Sequence, residues 1–219
     1  MSEFADKKKE TELIARKLML CAGLTNDLGL EYGKMGVTIF FYRYYRLTGN
    51  PIIEHFAYEL LEELFDCMKD YQYDFREKIF GIALGLDYLI QNKYIDLDND
   101  IMRDLDSQAM EQIMSGASID NGLYGAAYYI LSRHRIKNNM LTLEYIKKIN
   151  DAIQALDINQ ECYFLRAQIN NLLIGNDYIS PDIISVLLSN ETNINHKYLG
   201  IKGGLAGVGL RLMQEIESS

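Results

Sequence analysis

The residues of this chain able to do chemistry are few and scattered. Its three cysteines are Cys21, Cys67 and Cys162, and its three histidines are His55, His134 and His196. No Cys-x-x-Cys pair brings thiols together, so the odd set reads as reduced core thiols rather than a disulfide framework. No Ser, Cys or Asp is tied by spacing to a histidine, so a nucleophile with its base cannot be assembled. His55, beside Phe56, reads as a partly buried surface histidine. His134 in Arg133-His-Arg135 reads as a cation near the carboxyl end of a helix dipole. His196 lies in a polar loop before the last glycine motif. The acidic run Asp96-Leu-Asp-Asn-Asp100 fails as a calcium loop, because Ile101 stands where the turn needs glycine and Ser107 where a bidentate carboxylate is needed. It reads instead as a polar turn whose acids favour the start of the next helix.

Tyrosine is the abundant polar aromatic, with 16 copies. Tyr42, Tyr45, Tyr88 and Tyr128 fall on apolar helical segments. Core packing is the ordinary role of such a run, but hydroxyls at the mouth of a helical ring are available to a peptide. With Asp120, Lys202 and His196, which border the glycine motifs, these four tyrosines are the candidate ligand-facing residues.

The elements that must position them follow an internal repeat. Glycine motifs open apolar, aromatic-rich helices at Gly33-Lys-Met-Gly36, Lys78-Ile-Phe-Gly81, Gly122-Leu-Tyr-Gly125 and Gly204-Leu-Ala-Gly207. They recur about every 45 residues, and a double gap before the last predicts a worn fifth copy near Ala167. Each motif is followed by a segment apolar on nearly every face, as in Val37 to Leu47, which requires burial on all sides. A longer amphipathic helix comes next, with apolar positions at steps of three and four: Ile53, Phe56, Leu60, Leu64, Met68; then Met102, Leu105, Ala109, Ile113; then Leu143, Ile146, Ile153. Inner and outer helices therefore alternate. The glycines let inner helices crowd together. Their converging amino termini are an alternative attraction for a carboxylate. Asn50-Pro51 and Ser180-Pro181 mark helix starts, and Gly116 a helix end.

The helix from about Lys8 to Leu24 has no inner partner, and the copy at Gly204 has no outer one. They are expected to pair with each other. The fold class is all-α, an α/α toroid of about five helical hairpins if that pairing closes a ring. The expected organisation is one domain over 1–219, with an N-terminal outer helix in 1–30 and the glycine-motif repeats in 33–217.

Composition narrows the partners. A net charge of −9 and a pI near 4.9 disfavour nucleic acid, which needs clustered cations. No stretch reaches the ~20 apolar residues of a membrane span and no signal-peptide core forms after Lys7-Lys-Lys9, so a cytoplasmic location is expected.

The segments Gly33 to Gly49 and Gly203-Gly-Leu-Ala-Gly-Val-Gly-Leu210 resemble the first and closing repeats of lanthionine synthetase C-like proteins, and Gly81-Ile-Ala-Leu-Gly-Leu-Asp-Tyr-Leu89 is similar to a middle one. The resemblance covers most of residues 30 to 215. It implies an α/α toroid with glycine loops gathered at one end. It also implies an enzyme in which two cysteines and a histidine hold a zinc ion that activates a peptide thiol. Here Asp120 and Lys202 stand where a cysteine is implied, and Cys162 only approaches the slot in the worn copy. The expectation is therefore a scaffold without cofactor or metal that binds a peptide or partner protein, associated with peptide modification, with oligomers possible. Two alternatives stand beside it: a divergent cyclase or other toroid enzyme completed by a partner, and an interaction solenoid of HEAT type.

Overall fold

The computed structural model describes residues 3–69, 78–115, 119–135, 142–155, 160–180, 182–189 and 198–219. Gly116, Pro181 and His196 lie outside them. The described residues are all-α, with no strand among them. In chain order the helices are α1 (Glu3–Cys21), α2 (Lys34–Thr48), α3 (Pro51–Lys69), α4 (Ile79–Gln91), α5 (Asn99–Ser115), α6 (Ile119–Arg135), α7 (Leu143–Gln154), α8 (Gln160–Leu173), α9 (Ile183–Ser189) and α10 (Leu205–Glu217). A 3-10 turn, Ala22–Leu24, extends α1. No described helix is long and apolar enough to cross a membrane.

Two compact units emerge, one from residues 1–75 with 184–219 and the other from residues 76–183. In the first, α2 is buried along its whole first three turns, from Lys34 to Tyr44. It packs on α3 on one side and on α10 on another. The first and last helices pair as expected: α1 lies on α10, burying Ile14, Ala15 and Leu18. Lys7 meets Glu215 at 3.0 Å, and Arg43 of α2 meets Glu217 at 2.7 Å. Gly209 is the point of closest approach, because a side chain there would strike the Phe40 ring and crowd Ile14.

The second unit repeats the inner and outer alternation. Helix α4 packs on α6 and α6 on α8, while α5 and α7 lie against these and touch each other. On α5, Met102, Leu105, Ala109 and Ile113 are all buried, as the spacing requires. The segment expected to hold a worn copy lies in α8, with Ala167 at its eighth position rather than its third; the helix buries Cys162, Leu165, Ile169 and Leu172 but leaves Tyr163 exposed, so it keeps one wet face. Leu143 is also exposed, at the start of α7.

Punctuation follows local chemistry. Gly49 ends α2 in the left-handed region at φ 65°, its N–H donating to the Tyr45 carbonyl at 2.7 Å. Asn50 Oδ1 caps α3 by accepting from Ile52 N at 3.0 Å. In the acidic run, Asp98 Oδ1 accepts from Asp100 N at 3.0 Å, and Asp100 pairs with Arg103 at 2.6 Å. The run is a helix start, as its sequence suggests.

Candidate functional site

The glycine loops of the first unit share one geometry. Gly33 and Gly204 cap α2 and α10 in similar extended conformations, φ −117°, ψ −161° and φ −109°, ψ 178°. The preceding loop folds back over each helix end. Lys34 N and Met35 N donate to the carbonyls of Asp27 and Leu28 at 2.8 and 3.3 Å. Leu205 N, Ala206 N and Gly207 N donate to those of Tyr198, Leu199 and Gly200 at 3.0, 3.0 and 3.3 Å, the same step back along the chain. A Cβ at Gly36 would collide with the Leu30 carbonyl, and one at Gly207 with the Ile201 carbonyl. First-turn donors that an incoming carboxylate would need are already engaged here. At these two copies the glycines serve close packing rather than anion capture.

That geometry sets a strong test. Gly207→Ala must push the backbone of Ile201 away and is expected to cost about 1–3 kcal/mol or more. Gly23→Ala, with open space around the position, should stay within about 0.5 kcal/mol of the parent. Urea denaturation of both variants measures the difference.

In the second unit one motif sits differently. Helix α6 begins at Ile119, so Gly122 and Gly125 lie inside it rather than in a loop that opens it. A Cβ at Gly125 would stand 3.3 Å from Phe80 Cβ, marking where α6 approaches α4. Gly81, by contrast, is the third residue of α4 after Lys78 at the N-cap, the same register as Gly36 in α2 and Gly207 in α10, so this motif opens its helix as expected.

The two loops of the first unit clasp each other. Lys202 N donates to the Glu31 carbonyl at 2.7 Å, and Lys202 Nζ reaches Glu31 Oε2 at 3.0 Å. The same ammonium stands 5.9 Å from the centre of the Tyr32 ring. Tyr32 meets Tyr198 edge-on with centroids 5.9 Å apart. Exposed ion pairs contribute only about 0–1 kcal/mol. The backbone bonds and the aromatic edge therefore do most of the holding. Beside the clasp opens a cleft of about 850 Å³, lined by Lys17, Cys21 and Leu24 from the end of α1 and by Asp27, Tyr32, Tyr198 and Leu199 from the loops. An apolar wall with a few polar groups at its rim is the usual make-up of a binding cleft. Asp27 is committed to its own loop, Oδ1 accepting from Gly29 N at 2.7 Å.

Of the sequence-derived candidates, only Lys202 belongs to this clasp. Tyr42 is buried at 3% exposure, and burial pushes its hydroxyl up to about 12. Tyr45 is half-buried and hydrogen-bonded to Glu54. Tyr88 stacks on Tyr94 at 6.3 Å. Tyr128 is buried and donates to Glu161 at 3.1 Å. Asp120 lies in the first turn of α6, and His196 falls outside the described residues. His55 is exposed and faces Glu59 at 3.3 Å, and His134 Nδ1 lies 3.2 Å from the Tyr178 hydroxyl. Tyr32 and Tyr198 were not among the candidates, although each stands in the segment just before a glycine motif.

Burial also raises the hydroxyl pKa of Tyr128 and Tyr129, with nearby carboxylates adding to the effect. A raised folded pKa means that stability is intact below the unfolded value near 10 and declines as pH rises above it. For Tyr42 the loss is spread between pH about 10 and about 12. Urea midpoints measured from pH 8 to 11.5 should be flat to about pH 10 and then fall, with tyrosinate absorbance appearing in step with unfolding.

A second polar cluster lies in the core of the other unit. Arg133 of α6 donates to Asp106 of α5 through Nε at 2.9 Å and Nη2 at 2.7 Å, and through Nη1 to Asp87 of α4 at 3.3 Å. Asp87 also accepts from Ser132 and from Gln91 Nε2 at 2.5 Å, and Asp106 from the Tyr129 hydroxyl. Burial opposes the charge on Arg133 most strongly of any single effect, but the Asp106 hydrogen bonds and the nearby negative charges of Asp106 and Asp87 together outweigh it and raise its pKa. Arg133 thus forms a bidentate ion pair with Asp106 and a further contact with Asp87, joining three helices.

Among the described residues the zinc implied by the resemblance finds no fitting donors. At position 202 an ammonium engages Glu31, and an ammonium has no lone pair to give. Cys21 lines the cleft of one unit, whereas Cys162 is buried in the other with its thiol against the Ile153 carbonyl at 3.8 Å. Among the described residues, no three His, Cys, Asp or Glu side chains gather as a metal site. Comparison with known protein families, curated proteins and solved structures gave no match to this chain.

Proposed function

We propose that this protein is a small α/α-toroid scaffold of the lanthionine synthetase C-like kind that binds a peptide or partner protein in the cleft beside its glycine loops, without zinc-dependent cyclisation. The observation that carries this reading is the cleft itself, with Tyr32, Tyr198, Leu24 and Leu199 as its wall and Lys17 at its side. Tyr32 and Tyr198 are both substantially exposed, as rigid aromatic anchors for a ligand must be. The toroid reading draws support from the alternation of inner and outer helices within each unit and from the shared loop geometry at α2 and α10. Glycine pairs held under backbone carbonyls, foreign to a HEAT-type repeat, favour it over that alternative.

The test is panning a phage-displayed peptide library on the full chain and measuring enriched peptides against Tyr32→Ala and Tyr198→Ala. Loss of affinity by about tenfold in either variant supports the cleft. Peptides indifferent to both substitutions would refute it. Elemental analysis after expression with added zinc is expected to give no stoichiometric metal. One zinc per chain, lost with Cys162→Ala and His196→Ala, together with consumption of the thiol in a dehydrated cysteine-containing peptide, would make the protein a cyclase.

A further inference from the structure

The cleft continues into a second surface along α1. Leu13, Lys17 and Leu20 recur on α1 at helical steps i, i+4 and i+7, on the side away from the buried Ile14, Ala15 and Leu18, and Leu24 follows in the 3-10 turn. The leucines are 58%, 81% and 81% exposed, and Lys17 and Leu24 line the cleft as well. Such a run of solvated leucines on a helix whose other face is already packed marks a contact surface. Its charge is one-sided. From Leu13 to Leu24 the only charged residues are Arg16 and Lys17, in a chain whose net charge is −9. Arg16 pairs with Glu12 at 2.5 Å, while Lys17 has no acidic partner among the described residues.

We infer that this stripe binds a short amphipathic helix whose apolar residues seat on the three leucines and whose flanking carboxylates meet Lys17 and Arg16. The inference rests on the peptide-binding reading above and specifies the ligand's chemistry. A second copy of this chain fits less well, because a two-fold contact through the stripe sets Arg16 and Lys17 near their own counterparts. A helical partner engages such a surface through apolar anchors one or two turns apart, and Leu13 and Leu20, seven residues apart, and Leu20 and Leu24, four apart, give it two such steps.

The probe is a fluorescein-labelled peptide of about fifteen residues with leucines at those spacings and glutamates beside them, read by anisotropy with the full chain. A twin carries lysines in place of the glutamates. The glutamate peptide is expected to bind, and Leu20→Asp or Lys17→Glu to weaken it about tenfold or more. The lysine twin should bind about tenfold more weakly to the parent and recover on Lys17→Glu. Both substitutions are at exposed positions, and unchanged thermal melts will show that the fold is kept. Absent binding, equal affinity for Leu20→Asp, or equal affinity of the twin would overturn the inference. Self-association in sedimentation that disappears in Leu20→Asp would assign the stripe to a second copy instead. If panned peptides respond to Tyr198→Ala but not to Leu20→Asp, the cleft reading stands and the stripe alone falls.

Discussion

Arg133→Ala is expected to destabilise the 76–183 unit by about 3–5 kcal/mol, because it strands two buried carboxylates. Asp87 and Asp106 are each only about 2% exposed. Without the guanidinium, Asp106 keeps the Tyr129 hydroxyl, and Asp87 keeps Ser132 and Gln91. Two like charges would then remain in a medium of low dielectric without the guanidinium that bridges them. Since a domain is stable by only about 5–15 kcal/mol, this unit should populate open states readily. Amide hydrogen exchange along α4, α5 and α6 measures the effect locally, and urea denaturation measures it in total. Replacing Arg133, Asp87 and Asp106 together by Met, Leu and Leu should restore much of the loss, as apolar substitutes for buried ion sets do. A single-variant loss below about 1 kcal/mol would show that water reaches the cluster and solvates it.

Removing residues 1–24 is expected to abolish cooperative melting of the other unit. Helix α1 covers α10, and Ile14 and Leu18 leave water almost completely when it docks. Side chains of that size contribute about 1.5–3 kcal/mol each when fully buried, before the newly bared faces of α10 and Phe40 are considered. The total approaches the whole stability of a domain. Circular dichroism melts of the truncated and full chains decide it. A cooperative transition at unchanged temperature would show that α1 is dispensable, and the closed arrangement would lose its main support.

How much of this was legible in the sequence depends on which physical signal carried it. Periodicity exposed the helices, because burial on one face repeats every three or four residues: Met102, Leu105, Ala109 and Ile113 of α5 are buried where the pattern put them. The pairing of α1 with α10 followed from two amphipathic elements that each lacked a neighbour. The Arg133 cluster is not visible in the sequence because a charge near a helix end is ordinarily solvated. The clue was Asp87, one acid inside the apolar run from Ile79 to Ile90. The cleft was invisible for a different reason. Tyr32 and Tyr198 become neighbours only through the fold, and spacing within one segment carries no information about such a meeting.

The clasp between the segments around Glu31 and Lys202 also bears on how the chain acquires its structure. Residues 76–183 form one unit from a continuous stretch, whose contacts close over short loops. The other unit joins residues 1–75 to 184–219 and needs a closure spanning everything between them. Closure entropy and high contact order make that step the slower one. During synthesis α1, α2 and α3 leave the ribosome long before α10 exists, so the faces of Phe40 and Leu18 wait uncovered for their partner. This interval is when the young chain is most exposed to aggregation and most dependent on chaperones, and it ends only when the strand of loop around Lys202 comes to rest on Glu31.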